Sequence, residues 1–171
     1  MKSALFLRHA KSSWADPSLA DFERPLKKRG RKACTAMAAY MAEHLPPPDI
    51  VLCSPARRTR ETWQILAESL GLSLEARIED ALYGAGAAAL IDRLRGLEES
   101  RQRCLVIGHN PAIQEATLTL AGGGDAAARD RAERKFPTAG LAELTFQTQH
   151  WDAIGPGAGG LARFVTPREL A

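Results

Sequence analysis

Ser3 to Leu7 is a short apolar run that stops at Arg8, and runs of the same kind recur at Ile50 to Cys53 and Leu105 to Ile107. Their length and turn-bounded ends predict buried strands. Between them the period changes. Leu26, Ala33, Met37, Tyr40 and Met41 share one helical face, and Trp63, Leu66, Ala67 and Leu70 repeat the i, i+3, i+4, i+7 spacing. Leu90, Ile91, Leu94 and Leu97 mark a third helix, and Ile113, Ala116, Thr117 and Leu120 a fourth. Strands alternating with helices predict an α/β protein, a three-layer sandwich around a mainly parallel sheet.

Breakers set the boundaries. Pro46-Pro47-Pro48 should stop the first helix before the second strand, because proline lacks an amide hydrogen and disfavours helical geometry in the residue before it. Gly122 to Lys135 has three glycines followed by alternating charges and few apolar residues, which predicts a mobile excursion over the surface. Gly155 to Gly160 separates Trp151–Ile154 from Leu161–Val165, which predicts a terminal hairpin. No internal repeat is present. A chain of 171 residues with 45% hydrophobic content fits one domain over residues 1–171, and hence one active site.

Charge narrows the partners. The net charge of +3, from 23 basic and 20 acidic side chains, is too small an excess to imply nucleic acid or a membrane surface, whereas small anions fit it. Cys34, Cys53 and Cys104 are odd in number, lack CxxC spacing and sit in apolar surroundings, so they read as buried reduced thiols. With no signal-peptide pattern after Met1 and no apolar stretch of spanning length, the expected location is the cytoplasm.

In open α/β sheets ligands sit beyond the carboxyl ends of the strands. Here the three runs end in Arg8-His9-Ala10, in Ser54-Pro55-Ala56-Arg57-Arg58-Thr59 and in Gly108-His109-Asn110-Pro111. Two histidines and two arginines are thus candidates for one crevice. A phosphoryl group in transfer spreads negative charge over its equatorial oxygens, and the guanidinium forks of Arg8 and Arg58 match such oxygens. A neutral imidazole attacks phosphorus when its other ring nitrogen donates to a fixed acceptor, a task suited to His9. His109 could then donate to a phosphate oxygen in the transition state. Asn110 and Pro111 read as the cap and first position of a helix whose free amides would face the same crevice. Neither a metal nor a cofactor is required.

These residues carry a family resemblance. Leu7-Arg8-His9-Ala10 resembles the RHG signature of the histidine phosphatase superfamily, the stretch Ser54 to Thr62 resembles its SPxxRxxxT segment, and Gly108-His109-Asn110-Pro111 its second-histidine motif. Arg8 to Trp14, Asp21 to Leu26 and Phe136-Pro137-Thr138 are similar to the small SixA-type phosphohistidine phosphatases. The resemblance covers nearly the whole chain. It implies a phosphoglycerate-mutase-like fold, His9 as nucleophile, and Arg8, Arg58 and His109 as the phosphate pocket. Two departures stand out. Ala10 replaces the usual glycine, and the acidic general acid of the larger phosphomonoesterase branches has no secure counterpart.

The remaining polar residues leave alternatives open. Arg24 could reach the phosphate or only decorate a helix start before Pro25. Arg57 and Arg60 could touch a phosphorylated protein or form a solvated face. Glu79, Asp80 and Tyr83 could supply a proton or only solvate a loop. His44 and His150 lie outside the motifs. The expected activity is hydrolysis of phosphohistidine in a signalling protein through a phosphohistidine enzyme. The alternatives are a small-molecule phosphomonoesterase, a non-catalytic module binding phosphoproteins, and a nucleic-acid binder resting on Arg57, Arg58 and Arg60.

Overall fold

The computed structural model describes all 171 residues. Seven strands form one sheet: β1 (Lys2–Arg8), β2 (Ile50–Cys53), β3 (Arg77–Ile78), β4 (Arg103–Gly108), β5 (Ala121–Gly124), β6 (Leu141–Phe146) and β7 (Gly159–Val165). Their order is β3-β2-β4-β1-β6-β7-β5. The β3–β2, β2–β4, β4–β1 and β7–β5 pairs are parallel, and only β6 runs against its two neighbours. The sheet is therefore mainly parallel, as its helix-connected strands dictate.

Five helices cover it: α1 (Lys28–His44), α2 (Arg57–Leu70), α3 (Ala87–Arg95), α4 (Ala112–Leu120) and α5 (Ala126–Arg134). Successive strand residues point to opposite faces, so each buried run feeds two cores. Ala4, Phe6, Leu52, Cys104 and Val106 pack with α3, α4 and α5 on one face. Leu5, Leu7, Val51, Cys53, Leu105 and Ile107 pack with α1 and α2 on the other. This is the expected three-layer α/β sandwich.

The structure departs from the sequence reading in several places. Leu97 lies just beyond α3, which ends at Arg95. Gly122 to Lys135 is not a loose excursion; it forms β5 and α5. Asp125 caps α5 by accepting from the Ala128 amide, and the buried face of the helix is built from Ala128 and Ala132. Small side chains let α5 dock closely without a large apolar stripe. Gly124, at a φ of 101°, completes the approach, because a β-carbon there would strike the Leu161 backbone. The expected hairpin has a different first arm: β7 pairs with β6, while Trp151–Ala153 is a 3-10 turn that buries Trp151 and donates its indole N–H to the Arg101 carbonyl. Leu26 precedes α1 instead of lying on it. Its amide donates to Glu61, and it forms a bridge with Ser12. Pro46 to Pro48 do end α1, which stops at His44.

Candidate active site

The order β2-β4-β1 brings the three polar strand ends side by side. Arg8 pairs in register with Gly108, so His9 and His109 follow on adjacent strands, and the His9 amide donates to the Gly108 carbonyl at 3.0 Å. Cys53 pairs with Ile107, and Ser54 extends β2 by donating its amide to the Ile107 carbonyl. The two imidazoles stand 5.3 Å apart between ring centroids.

His9 is only 7% exposed, and its Nδ1 lies 2.8 Å from the Ala10 carbonyl. A carbonyl can only accept, so Nδ1 carries the proton and the Nε2 lone pair is left free. Burial drives the His9 pKa down to about 3, aided by His109, Arg58 and Arg8 and opposed by the bond to Ala10. The ring is neutral at physiological pH. Ala10 is itself buried, and its amide donates to Thr62 Oγ1, which ties the turn after β1 to α2. The methyl group that replaces glycine's hydrogen thus lies within the core packed by α1 and α2.

Arg58 leaves the first turn of α2 and donates to Asp21 twice, from Nη1 to the backbone carbonyl at 2.8 Å and from Nη2 to Oδ2 at 3.1 Å. The same Nη2 lies 3.3 Å from His109 Nδ1. A guanidinium can only donate, so His109 Nδ1 accepts and its Nε2–H donates to Ser54 Oγ at 2.7 Å. Burial, Arg58 and Arg8 lower the His109 pKa to about 4, while Asp21 opposes them. Arg8 fixes one arm by donating to the Phe136 carbonyl at 2.9 Å. Arg24 shares Asp21 with Arg58, and the exposed Trp14 ring stacks on its guanidinium at 3.4 Å. Arg8 Nε, Arg24 Nη1 and Arg58 Nε are buried without a hydrogen-bond partner. The unpartnered donors of Arg8 and Arg58 beside two neutral imidazoles, with Arg24 joined to Arg58 through Asp21, are the kind of array that can accept a polyoxygen anion.

The other candidates lie elsewhere or differently. Glu79 is held by Arg93 through both carboxylate oxygens, at 2.6 and 2.9 Å, and Asp80 is exposed at the start of a 3-10 turn. Tyr83 does reach the site: its hydroxyl donates to Asp21 Oδ2 at 2.7 Å and its ring packs edge-on against His109. That bond to Asp21 raises the Tyr83 pKa. Arg57 is exposed and paired with Glu61, and Arg60 donates to the Pro55 carbonyl. His44 stacks on Tyr40 and His150 faces Glu99 at 3.2 Å, both outside the crevice. No group of three His, Cys, Asp or Glu side chains gathers with the spacing of a metal site.

The expected cap of α4 shifts by one residue. Pro111 is the cap and Ala112 the first helical residue; Asn110 instead donates to the Phe136 carbonyl at 3.0 Å and accepts from the Gln114 amide. Asn110 and Arg8 thus hold the same carbonyl, which fixes the 136–139 turn at the edge of the crevice. Sequence reasoning missed Asp21 and Ser54 as site residues. Ser54 was signalled by its place directly after β2, whereas Asp21 lies far from any strand end and only folding brings it to Arg58.

Residues 4–86 match the histidine phosphatase superfamily (branch 1). The chain is 37% identical to an uncharacterized protein of Mycobacterium tuberculosis, Rv1276c, over 95% of its own length and all of that protein. A solved structure named as a candidate phosphohistidine phosphatase SixA, from Nakamurella multipartitia, superposes with a TM-score of 0.84 at 28% identity, covering 97% of this chain and 96% of the other. The protein histidine phosphatase SixA complexed with tungstate gives 0.81 at 22% identity over 99% of both chains, a likeness of fold. With the RHG-like strand end, the SPxxRxxxT helix start and the second histidine brought together at one end of the sheet, the chain belongs to the histidine phosphatase superfamily.

Proposed function

We propose that the protein hydrolyses phosphohistidine in a signalling protein, with His9 as the phosphoryl acceptor and Arg8, Arg24, Arg58 and His109 as the phosphate pocket. The observation that carries this reading is a buried, neutral His9 whose Nδ1 is pinned by a carbonyl, beside arginines with unpartnered N–H groups. His9 Nε2 forms the new N–P bond as the substrate's P–N bond breaks. The electron pair departs with the substrate imidazole, which is protonated from solvent. Water then attacks the phosphorylated His9, releasing phosphate and restoring the neutral ring.

His109 acts as a donor once an anion arrives. In the free site its Nδ1 accepts from Arg58. A phosphoryl dianion draws that guanidinium onto itself and opposes the positive surroundings that keep His109 neutral. The ring then takes up a proton at Nδ1 and donates it to a phosphoryl oxygen, while Nε2–H stays on Ser54. The arginines supply the neutralising charge, so no metal is called for. The preference for a phosphoramidate rests on Glu79: tied to Arg93, it offers no proton to an alkoxide leaving group.

The test is to quench the protein without acid after mixing with labelled phosphohistidine and to map the label. It should lie on His9, and His9→Ala should fold yet carry none. Label on another residue, or alkyl phosphates turned over as fast as phosphohistidine, would refute the reading.

A further inference from the structure

Beside the crevice lies a second concavity of about 640 Å³, lined by Lys11 and Arg29 near the start of α1, Arg131 and Lys135 at the end of α5, and Arg168 and Glu169 of the C-terminal segment. Five cations face one carboxylate there, while the whole chain carries a net +3. The rest of the surface is therefore close to neutral, and the excess is gathered in one place. Arg131 is occupied, donating to the Phe164 carbonyl at 2.6 Å with Glu169 at 4.0 Å. Lys11, Arg29, Lys135 and Arg168 pair with no carboxylate. Confined like charges repel one another, and a bound anion relieves that repulsion.

The groove and the crevice share a wall. Lys11 follows His9 by two residues, and Lys135 leads into the 136–139 turn, whose Phe136 carbonyl holds Arg8 and whose Ala139 amide meets the carbonyls of Arg8 and His9. A substrate whose phosphoryl group sits at His9 can extend into the groove. The lining has no exposed ring on which a base could stack: Phe164 is buried beneath Arg131. Charge without a stacking platform fits carboxylates better than nucleic acid.

We propose that this groove binds an acidic segment flanking the phosphohistidine of the protein substrate, and so selects substrates by charge. The inference rests on the phosphoprotein reading above, and the experiment separates the two. Two phosphohistidine peptides are compared, one flanked by Glu and Asp and the other by Gln and Asn, against the starting protein and Lys135→Ala/Arg168→Ala, both of which replace exposed side chains. The starting protein should prefer the acidic peptide through KM at low salt, and the double variant should lose roughly fivefold of that preference, with free phosphohistidine and p-nitrophenyl phosphate unchanged. Raising the ionic strength should remove the preference as well. Hydrolysis of free phosphohistidine with no preference between the peptides overturns the groove assignment alone. If no phosphohistidine compound is hydrolysed while p-nitrophenyl phosphate is, the substrate reading fails. The groove is then judged by fluorescence anisotropy of the unphosphorylated acidic peptide, which must bind the starting protein and release in the double variant. Binding of tripolyphosphate or a single-stranded oligonucleotide in place of that peptide overturns the proposal.

Discussion

Titrating the free protein with acid should distinguish His9 and His109 from ordinary imidazoles. Burial and the neighbouring cations hold His9 at about 3 and His109 at about 4, against an ordinary 6.5. At about 1.4 kcal/mol per pH unit, the His9 environment favours the neutral ring by on the order of 5 kcal/mol. An unfolded chain loses that environment and protonates both rings near 6.5. Between about pH 3 and 6.5 the unfolded state therefore binds more protons at His9, so the contribution is fully present above 6.5 and is lost as pH falls through that window. Removing the ring by His9→Ala should accordingly flatten the pH dependence of unfolding free energy by about 3 kcal/mol between pH 7 and 4.5. Histidine ring resonances, assigned with the His9→Ala and His109→Ala variants, provide the direct assay. Neither should reach half-protonation between pH 8 and 5 in the free protein, and His109 should take up a proton when tungstate is added at pH 7. A His9 resonance that titrates between pH 6 and 7 in the free protein would refute the reasoning, because the ring would then be solvated or the cations too distant to matter.

Arg58→Ala should cost on the order of a hundredfold or more in turnover by removing a donor to the phosphoryl group, while Arg57→Ala and Arg60→Ala, bound to Glu61 and to the Pro55 carbonyl, should cost far less; steady-state kinetics on one aryl phosphate decides. Glu79→Gln should leave the dependence of rate on leaving-group basicity unchanged in a series of aryl and alkyl esters, since Glu79 serves Arg93; a steeper dependence would identify it as a general acid. Turnover should survive excess EDTA, because arginine donors stand where a metal would otherwise neutralise charge; loss restored by a divalent cation would overturn the mechanism.

The grouping of the motif residues was legible because each motif is local. A strand end and the residues after it keep the same relation wherever the strand sits in the sheet, so Arg8-His9, Arg58 and Gly108-His109 could be read without knowing that β4 lies between β2 and β1. What depended on contacts between distant segments could not be read. The strand β6 was missed because Glu143 breaks its apolar run; folding buries that carboxylate between Arg103 at 3.2 Å and Arg163 at 2.7 Å on nearby strands. Helix α5 reads as loop in the sequence because its buried side chains are alanines, which give no strong apolar stripe. Asp21 entered only as part of a resembling stretch, and its grip on Arg58 follows from the 3-10 turn at Asp21–Glu23 lying against α2. The cations of the groove come from positions 11, 29, 131, 135 and 168, too scattered for any window along the chain to reveal.

Trp14 gives the molecule a built-in optical reporter. Of the three tryptophans, Trp151 is fully enclosed and Trp63 nearly so, whereas Trp14 is 73% exposed and its indole lies directly on the Arg24 guanidinium. Indole emission responds to a cation on its face and to the charge that cation meets. An oxyanion that engages Arg24 changes both, while the two core indoles keep their surroundings. If Arg24 belongs to the phosphate pocket as proposed, its occupancy can be followed in unlabelled protein, without turnover, by the emission of one side chain.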